Sequence, residues 1–291
     1  MAVSLNPPGD PEEAPATPDQ EELEQLEVEL LLEAVYRRYG FDFRQYAQAS
    51  LKRRLYRRMT MERVSTLSQL QDRLLHEPGS MEGLLLDLSI NVTSMFRDPT
   101  FYAAFREKVV PALHTYPFTR IWCAGCSTGE EVYSLAILLE EEGLYEHTRI
   151  YATDINENVL LTAREGVFPL DRMKQYTQNY LRGGGKRDFS TYYVAAYDGA
   201  RFSRSLLENV VFAQHNLAMD SAFNEFNVIL CRNVMIYFDR TLQERVHGLI
   251  FDGLDRHGDP PPACQESVRV PCSADHNRQV HPGRRIRQPG P

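Results

Sequence analysis

The sequence predicts an α/β protein: a small helical domain followed by a parallel-sheet domain that carries a small inserted β-hairpin. Three observations carry this. Apolar residues recur at helical steps, first as Leu23, Leu26, Leu30 and Val35 and later as Leu67, Leu70, Leu74 and Leu75. From Arg120 onward, short apolar runs alternate with helical stretches. A turn bounded by Gly125 and Gly129 stands between the first apolar run and the helix after it, as in folds that bind a ligand at a strand-to-helix junction.

Residues 1–20 hold Pro7, Pro8, Pro11, Pro15 and Pro18 among acids and small residues, which cannot offset the entropy of ordering, and are expected to be disordered. Residues 21–114 form the helical domain, several short helices in succession, with Pro111 at a kink or at a helix start. Residues 115–258 form the sheet domain, with strands over 120–124, 149–153, 210–214 and 227–231 and helices over 130–141 and 158–164. Within it, residues 183–205 open on Gly183, Gly184 and Gly185, and the runs 191–196 and 200–202 pair as a hairpin. Residues 259–291 are rich in Pro and Arg and contain no Leu, Phe, Tyr or Trp. No strand is expected there, which leaves the sheet without its closing strands.

The composition narrows the function. At 291 residues and 43% hydrophobic content, the chain can bury one core plus a small helical domain. Its net charge of -8 argues against a surface that grips nucleic acid. No apolar run approaches the roughly 20 residues of a membrane span, and no secretory signal opens the chain, so a soluble, cytoplasmic protein is expected. Five cysteines without a repeated framework fit a reducing compartment.

The segment from Ile121 to Ser134 is the most informative. A strand ending at a tight turn before a helix leaves free backbone N–H groups facing a crevice, so a nucleotide-like ligand is expected. A phosphate loop needs a Lys after its last glycine, but Glu130 and Glu131 stand there and would repel phosphate. The dinucleotide fingerprint fails as well, since only Gly125 and Gly129 are present. A ligand that is adenosine-like but cationic suits those acids, and S-adenosylmethionine is such a ligand. Asp154, at the end of the second strand, is placed to accept ribose hydroxyls, although an Asp there also suits the cap of the next helix. Cys123 and Cys126 form a C-x-x-C without a second ligand pair, and the eight histidines form no metal pattern, so no metal is expected.

Three separated motifs resemble the CheR-type family of chemotaxis-receptor glutamate methyltransferases. Residues 91–98, Asn-Val-Thr-Ser-Met-Phe-Arg-Asp, are similar to its N-x-T-x-F-F-R-D, with Met95 at a usual Phe. Residues 124–134 are similar to its A-G-C-S-T-G-E-E-x-Y-S loop, with Val132 at a usual Pro. Residues 231–238 are similar to its C-R-N-V-(L/M)-I-Y-F, and the likeness spans about 32–254. It implies a helical domain packed on a Rossmann-like methyltransferase domain, with S-adenosylmethionine held between them and S-adenosylhomocysteine as product. By the same resemblance, Asn91, Thr93 and Arg97 reach the cofactor from the helical side and Glu131 binds its aminoacyl part, with Glu130 as a neighbour. Asp154 binds ribose, and Asn216, Leu217, Arg232 and Asn233 flank the adenosine. Arg97 and Tyr237 lie near the point of methyl transfer, although a surface ion pair for Arg97 and a core-filling role for Tyr237 are the plainer alternatives.

Lys52, Arg53, Arg54, Arg57 and Arg58 form a basic stripe on an otherwise acidic chain. The resemblance implies that it steers in the glutamate-bearing cytoplasmic helices of a chemoreceptor. A solvated helix face is the alternative. Nucleic acid is not expected as a partner, and membrane association is expected only through the receptor. The resemblance ends near Asp259, where the family continues into a glycine-rich closing strand pair, and the tail reads as a shifted frame. The alternative reading is accordingly a catalytically impaired module that binds S-adenosylmethionine and docks on receptors.

Overall fold

The computed structural model describes residues 18–77, 79–88, 93–197 and 199–254, and the backbone of 267–269. Four helices make the N-terminal domain: α1 (Pro18–Tyr39), α2 (Gln48–Glu62), α3 (Leu67–His76) and α4 (Ser80–Leu88). α1 starts three residues before the expected helical domain, because Pro18 suits a first helical position, where its missing N–H is not needed, and Asp19 and Glu21 favour the positive helix end. Its buried face is Val28, Leu31, Leu32 and Val35, packed on Leu51, Leu55, Leu70, Leu74 and Leu84. Leu23, Leu26 and Leu30 are about half exposed and lie off that face, so the apolar spacing picked out the helix but not the side it buries. Thr66 caps α3, its side chain accepting from Gln69 N at 3.1 Å. Two further helices, α5 (Pro99–Lys108) and α6 (Val110–Leu113), lead to the sheet, and Pro111 falls in the first turn of α6.

The sheet strands are β1 (Thr119–Ala124), β2 (Thr148–Asp154), β6 (Val210–Gln214), β7 (Val228–Cys231) and β8 (Ser267–Arg269), in the order β6-β2-β1-β7-β8. β1, β2, β6 and β7 run parallel, with Ile121 beside both Ile150 and Val228. The sequence expects no strand after residue 258, yet β8 pairs antiparallel with β7, Leu230 beside Val268. β7 would otherwise present an unpaired edge, and a three-residue extended segment is enough to pair with it. The tail's other residues, like residues 1–17, lie outside the described structure.

α7 (Glu130–Glu141) and α8 (Glu157–Glu165) follow β1 and β2, and α10 (Arg240–Asp252) follows β7. A second sheet, in the order β3-β5-β4, joins β3 (Val167–Phe168) to the hairpin of β4 (Tyr193–Ala196) and β5 (Gly199–Phe202), with α9 (Met173–Arg182) between β3 and β4. β3, only two residues long, is too short to register as a strand in the sequence. Because successive strands leave β1 in opposite directions, to β2 and later to β7, their carboxyl ends part there and open a crevice.

The helical domain closes over that crevice through backbone pairing as well as side chains. Tyr46 and Phe238 form an antiparallel bridge, flanked by Ala47 N donating to Tyr237 O at 3.0 Å and Asp239 N donating to Gln45 O at 2.8 Å.

At the far end of α7, the carboxylate of Glu141 is wholly buried and ion-paired with Arg106 of α5. It also accepts from Tyr180 and, at 3.0 Å, from Tyr192 and from Lys186 N. Burial alone would raise its pKa, but the hydrogen bonds from Tyr180 and Lys186 N and the pairing with Arg106 together hold it below the usual carboxylate value of 4.5. Because the folded value is the lower one, this contribution to stability is present above about pH 4.5 and disappears as pH falls through the folded value. Glu141→Gln should therefore cost about 3 kcal/mol at pH 7 in urea unfolding. The gap between variant and parent should narrow steadily below pH 4.5.

Candidate functional site

The turn after β1 is pinned to the end of β2. Gly125 N and Cys126 N both donate to Thr153 O, at 2.8 and 2.9 Å, and Trp122 Nε1 holds Thr153 Oγ1 at 2.8 Å. Gly125 has φ +76°, and a Cβ there would lie 2.4 Å from Val234 Cγ2, so close approach of the 232–234 segment requires glycine. Ser127 N and Asn156 N donate to the two carboxylate oxygens of Asp154 at 2.9 and 3.1 Å. Burial raises the Asp154 pKa, against the pull of these N–H groups. The cap of α8 is not Asp154 but Asn156, whose side chain accepts from Asn158 N. Asp154 is thereby left facing the crevice.

The crevice has two lobes. The larger, about 650 Å³, is lined by Asp154, Ile155, His215, Asn216, Leu217 and Ala218 from the sheet domain and by Tyr46 and Leu88 from the helical domain. The smaller, about 450 Å³, is lined by Thr93, Ser94, Arg97, Cys126, Glu131 and Arg232. Gly125, Ser127, Asn233 and Tyr237 line both, so the two are one continuous cleft.

Its charges are arranged by one guanidinium. Arg232, 8% exposed, donates to Glu131 Oε2 at 2.9 Å, to Asp98 Oδ2 at 2.8 Å and to Arg97 O at 3.3 Å, while its plane lies 4.0 Å from the Phe101 ring centroid. Segment 93–98 is further tied to α7, since Phe96 N donates to Ser134 Oγ at 2.8 Å. Phe96, Asp98, Ser127 and Asn233 all have φ between 49° and 58°. Each such non-glycine position costs about 1–3 kcal/mol, and four of them in the segments that build this cleft mark it as a place where packing holds the backbone in shape.

Most of the residues expected at the site meet here: Thr93, Arg97, Glu131, Asp154, Asn216, Leu217, Arg232, Asn233 and Tyr237. Asn91 lies outside the described residues. Arg232 sits in the smaller lobe beside Glu131 rather than in the lobe with Asn216 and Leu217. Glu130 points away from the cleft: it is 2% exposed and accepts from Thr128 Oγ1 and Tyr176 OH. Tyr46 and Leu88 also line the cleft but were not expected there, since no local pattern marks a residue that arrives by domain packing, and Ser127 and His215 line it beside expected residues.

The basic stripe divides in two. Arg54 and Arg58 are buried. Arg54 donates to Leu88 O at 2.7 Å and lies 4.8 Å over the Tyr237 ring, and Arg58 is paired with Asp87 at 2.6 Å. Lys52 is paired with Glu24 at 2.9 Å. Arg53 and Arg57 face solvent, Arg57 being 72% exposed with Asp87 3.8 Å away. Cys123, Cys126 and Cys231 are free, buried thiols, and burial raises the pKa of each, as packing roles require.

A parallel sheet that reverses its order at β1, with an acid-lined cleft at the strands' carboxyl ends and a helical cap over it, defines a protein that binds a nucleoside cofactor. Two family descriptions match the chain: "CheR methyltransferase, all-alpha domain" over residues 26–89 and "CheR methyltransferase, SAM binding domain" over residues 91–259. The chain belongs to the CheR methyltransferase family and is an S-adenosylmethionine-dependent methyltransferase by membership. It is 48% identical to Cher3 of Pseudomonas putida over 250 residues, 86% of this chain and 92% of that one. It is 34% identical to chemotaxis protein methyltransferase 2 of Pseudomonas aeruginosa, over 74% of this chain and 76% of that one. Identity to the chemotaxis protein methyltransferase of Escherichia coli is 27%, over 73% and 74%. Among the described residues, no helix is long and apolar enough to cross a membrane.

Proposed function

We propose that the protein transfers the methyl group of S-adenosylmethionine to glutamate side chains of chemoreceptor proteins, giving glutamate methyl esters and S-adenosylhomocysteine. The observation that carries this reading is the single cleft in which Asp154, Glu131, Arg97 and Tyr237 meet. Its residues fit the cofactor. Asp154 offers acceptors for ribose hydroxyls, and Glu131 offers a carboxylate for an ammonium group. Gly125 lets Val234 close against the turn that borders both. The relatives named as chemotaxis methyltransferases support a chemoreceptor substrate.

When bound, the cofactor supplies an electrophilic methyl group on a cationic sulfur. A glutamate, with a pKa near 4.3, is already ionised at neutral pH, so the chain has no proton to remove. Transfer would form a C–O bond at one carboxylate oxygen and break the C–S bond with its electron pair left on sulfur, so that the two charges would cancel. The chain's task is therefore alignment and exclusion of water. Arg97, in the smaller lobe, would hold the incoming carboxylate by charge-assisted hydrogen bonds, and Tyr237, shared by both lobes, would donate its hydroxyl to the same group. Asp98 is taken up by Arg232, so Arg97 has a role distinct from its neighbour's.

Incubation with methyl-labelled cofactor and receptor-bearing membranes should give base-labile methyl esters on the receptor. Cofactor binding without label would instead mark the chain as a docking module. Arg97→Ala should lower kcat by at least about 100-fold while S-adenosylhomocysteine affinity stays within about threefold, and unchanged turnover would remove Arg97 from the mechanism. Because only Arg53 and Arg57 of the stripe face solvent, reversing both to Glu should raise the receptor KM about tenfold and leave cofactor affinity intact. The same change at Arg58 should instead unfold the helical domain, by burying a repelling carboxylate against Asp87.

A further inference from the structure

The larger lobe has a polar group that none of the motifs supplies. Tyr46, in the loop between α1 and α2, belongs to the helical domain, yet it lines the lobe that contains Asp154. Its position is fixed from several sides. The ring packs edge-on to Phe43 at 5.1 Å and tilted on Phe238 at 5.1 Å. Its own N–H donates to Phe43 O at 3.0 Å, and the bridge to Phe238 locks its backbone to the sheet domain.

Ring packing alone would be served equally well by phenylalanine. The side chain is partly exposed and lines the cleft, and its hydroxyl makes no hydrogen bond to a described residue, so it is open to a ligand there. Burial, and then the nearby charge of Asp154, push the phenol's pKa far above its usual value, so it remains protonated and can donate.

As a carboxylate, Asp154 can only accept. A ribose hydroxyl that donates to it keeps oxygen lone pairs that need a donor in turn. His215 does not meet that need in the tautomer that donates Nε2–H to Ser221 O at 3.2 Å, because its other ring nitrogen then carries a lone pair. Asn216 N is likewise engaged, donating to Asp220 Oδ2 at 2.7 Å.

We propose that Tyr46 is a cofactor-binding residue, its hydroxyl donating a hydrogen bond to the ribose oxygen whose proton Asp154 accepts. The proposal rests on the cofactor reading above and deepens it: the ribose is held from both domains at once, and the helical domain takes part in cofactor recognition through a side chain outside the three motifs.

The test is calorimetric titration of the full chain with S-adenosylhomocysteine and with its 2′-deoxy and 3′-deoxy analogues, for the parent and for Tyr46→Phe. The variant keeps the ring contacts and loses only the hydroxyl. It should bind S-adenosylhomocysteine about five- to tenfold more weakly than the parent. That penalty should vanish with the one analogue that lacks the contacted oxygen and persist with the other. Binding by Tyr46→Phe within twofold of the parent would overturn the proposal, as would a penalty that persists with both analogues. A parent chain that does not bind S-adenosylhomocysteine at all would defeat the cofactor reading itself, and this proposal with it.

Discussion

The structure of the cleft depends on one buried cation. Arg232 leaves the end of β7 and bonds to Glu131 of α7 and to Asp98 before α5, so that a strand, a helix and the entering loop meet at a single guanidinium. A guanidinium taken out of water is tolerated only when its donors are matched, and two carboxylates, a carbonyl and an aromatic face supply that match. Glu131 and Asp154 line the cleft together with Arg97 and Arg232, and Asp98 adds a second carboxylate to Arg232, so the cavity sets acids beside matched cations. Carboxylates so placed suit a guest that brings hydroxyl and ammonium donors.

The remaining architecture brings these charges to the right place. The strand order opens a crevice at the end of β1, and Gly125 lets the 232–234 segment close over the turn. The helical domain then roofs the larger lobe with Tyr46 and Leu88 while contributing Arg54 above the Tyr237 ring. The backbone bridge at Tyr46 and Phe238 makes the two domains parts of one site.

Much of this was legible in the sequence. Short apolar runs between polar turns announced β1, β2, β6 and β7, and of the nine expected side chains that meet in one cleft the three motifs supply six, with Asp154, Asn216 and Leu217 coming from the strand ends between them. What escaped was set by tertiary packing. The leucines of α1 repeat with a helical period, but nothing local says that Val28 and Leu31 rather than Leu23 and Leu26 meet α3. A basic stripe looks uniform in sequence, whereas Asp87, twenty-nine residues from Arg58, and the carbonyl of Leu88, thirty-four residues from Arg54, draw part of it inward. The capping ambiguity at Asp154 was resolved by Asn156, two residues on. β8 drew on the free edge of β7, a demand of the sheet rather than of its own residues.

A cleft that sets Asp154 and Glu131 at the carboxyl ends of the strands should recognise a nucleoside that carries an ammonium group. Calorimetric titration of the full chain with S-adenosylmethionine, S-adenosylhomocysteine and ATP tests it most directly. The account predicts one-to-one binding of the first two and no heat from ATP. Saturable binding of ATP by a chain that ignores both the adenosyl sulfonium and its demethylated thioether would overturn that assignment.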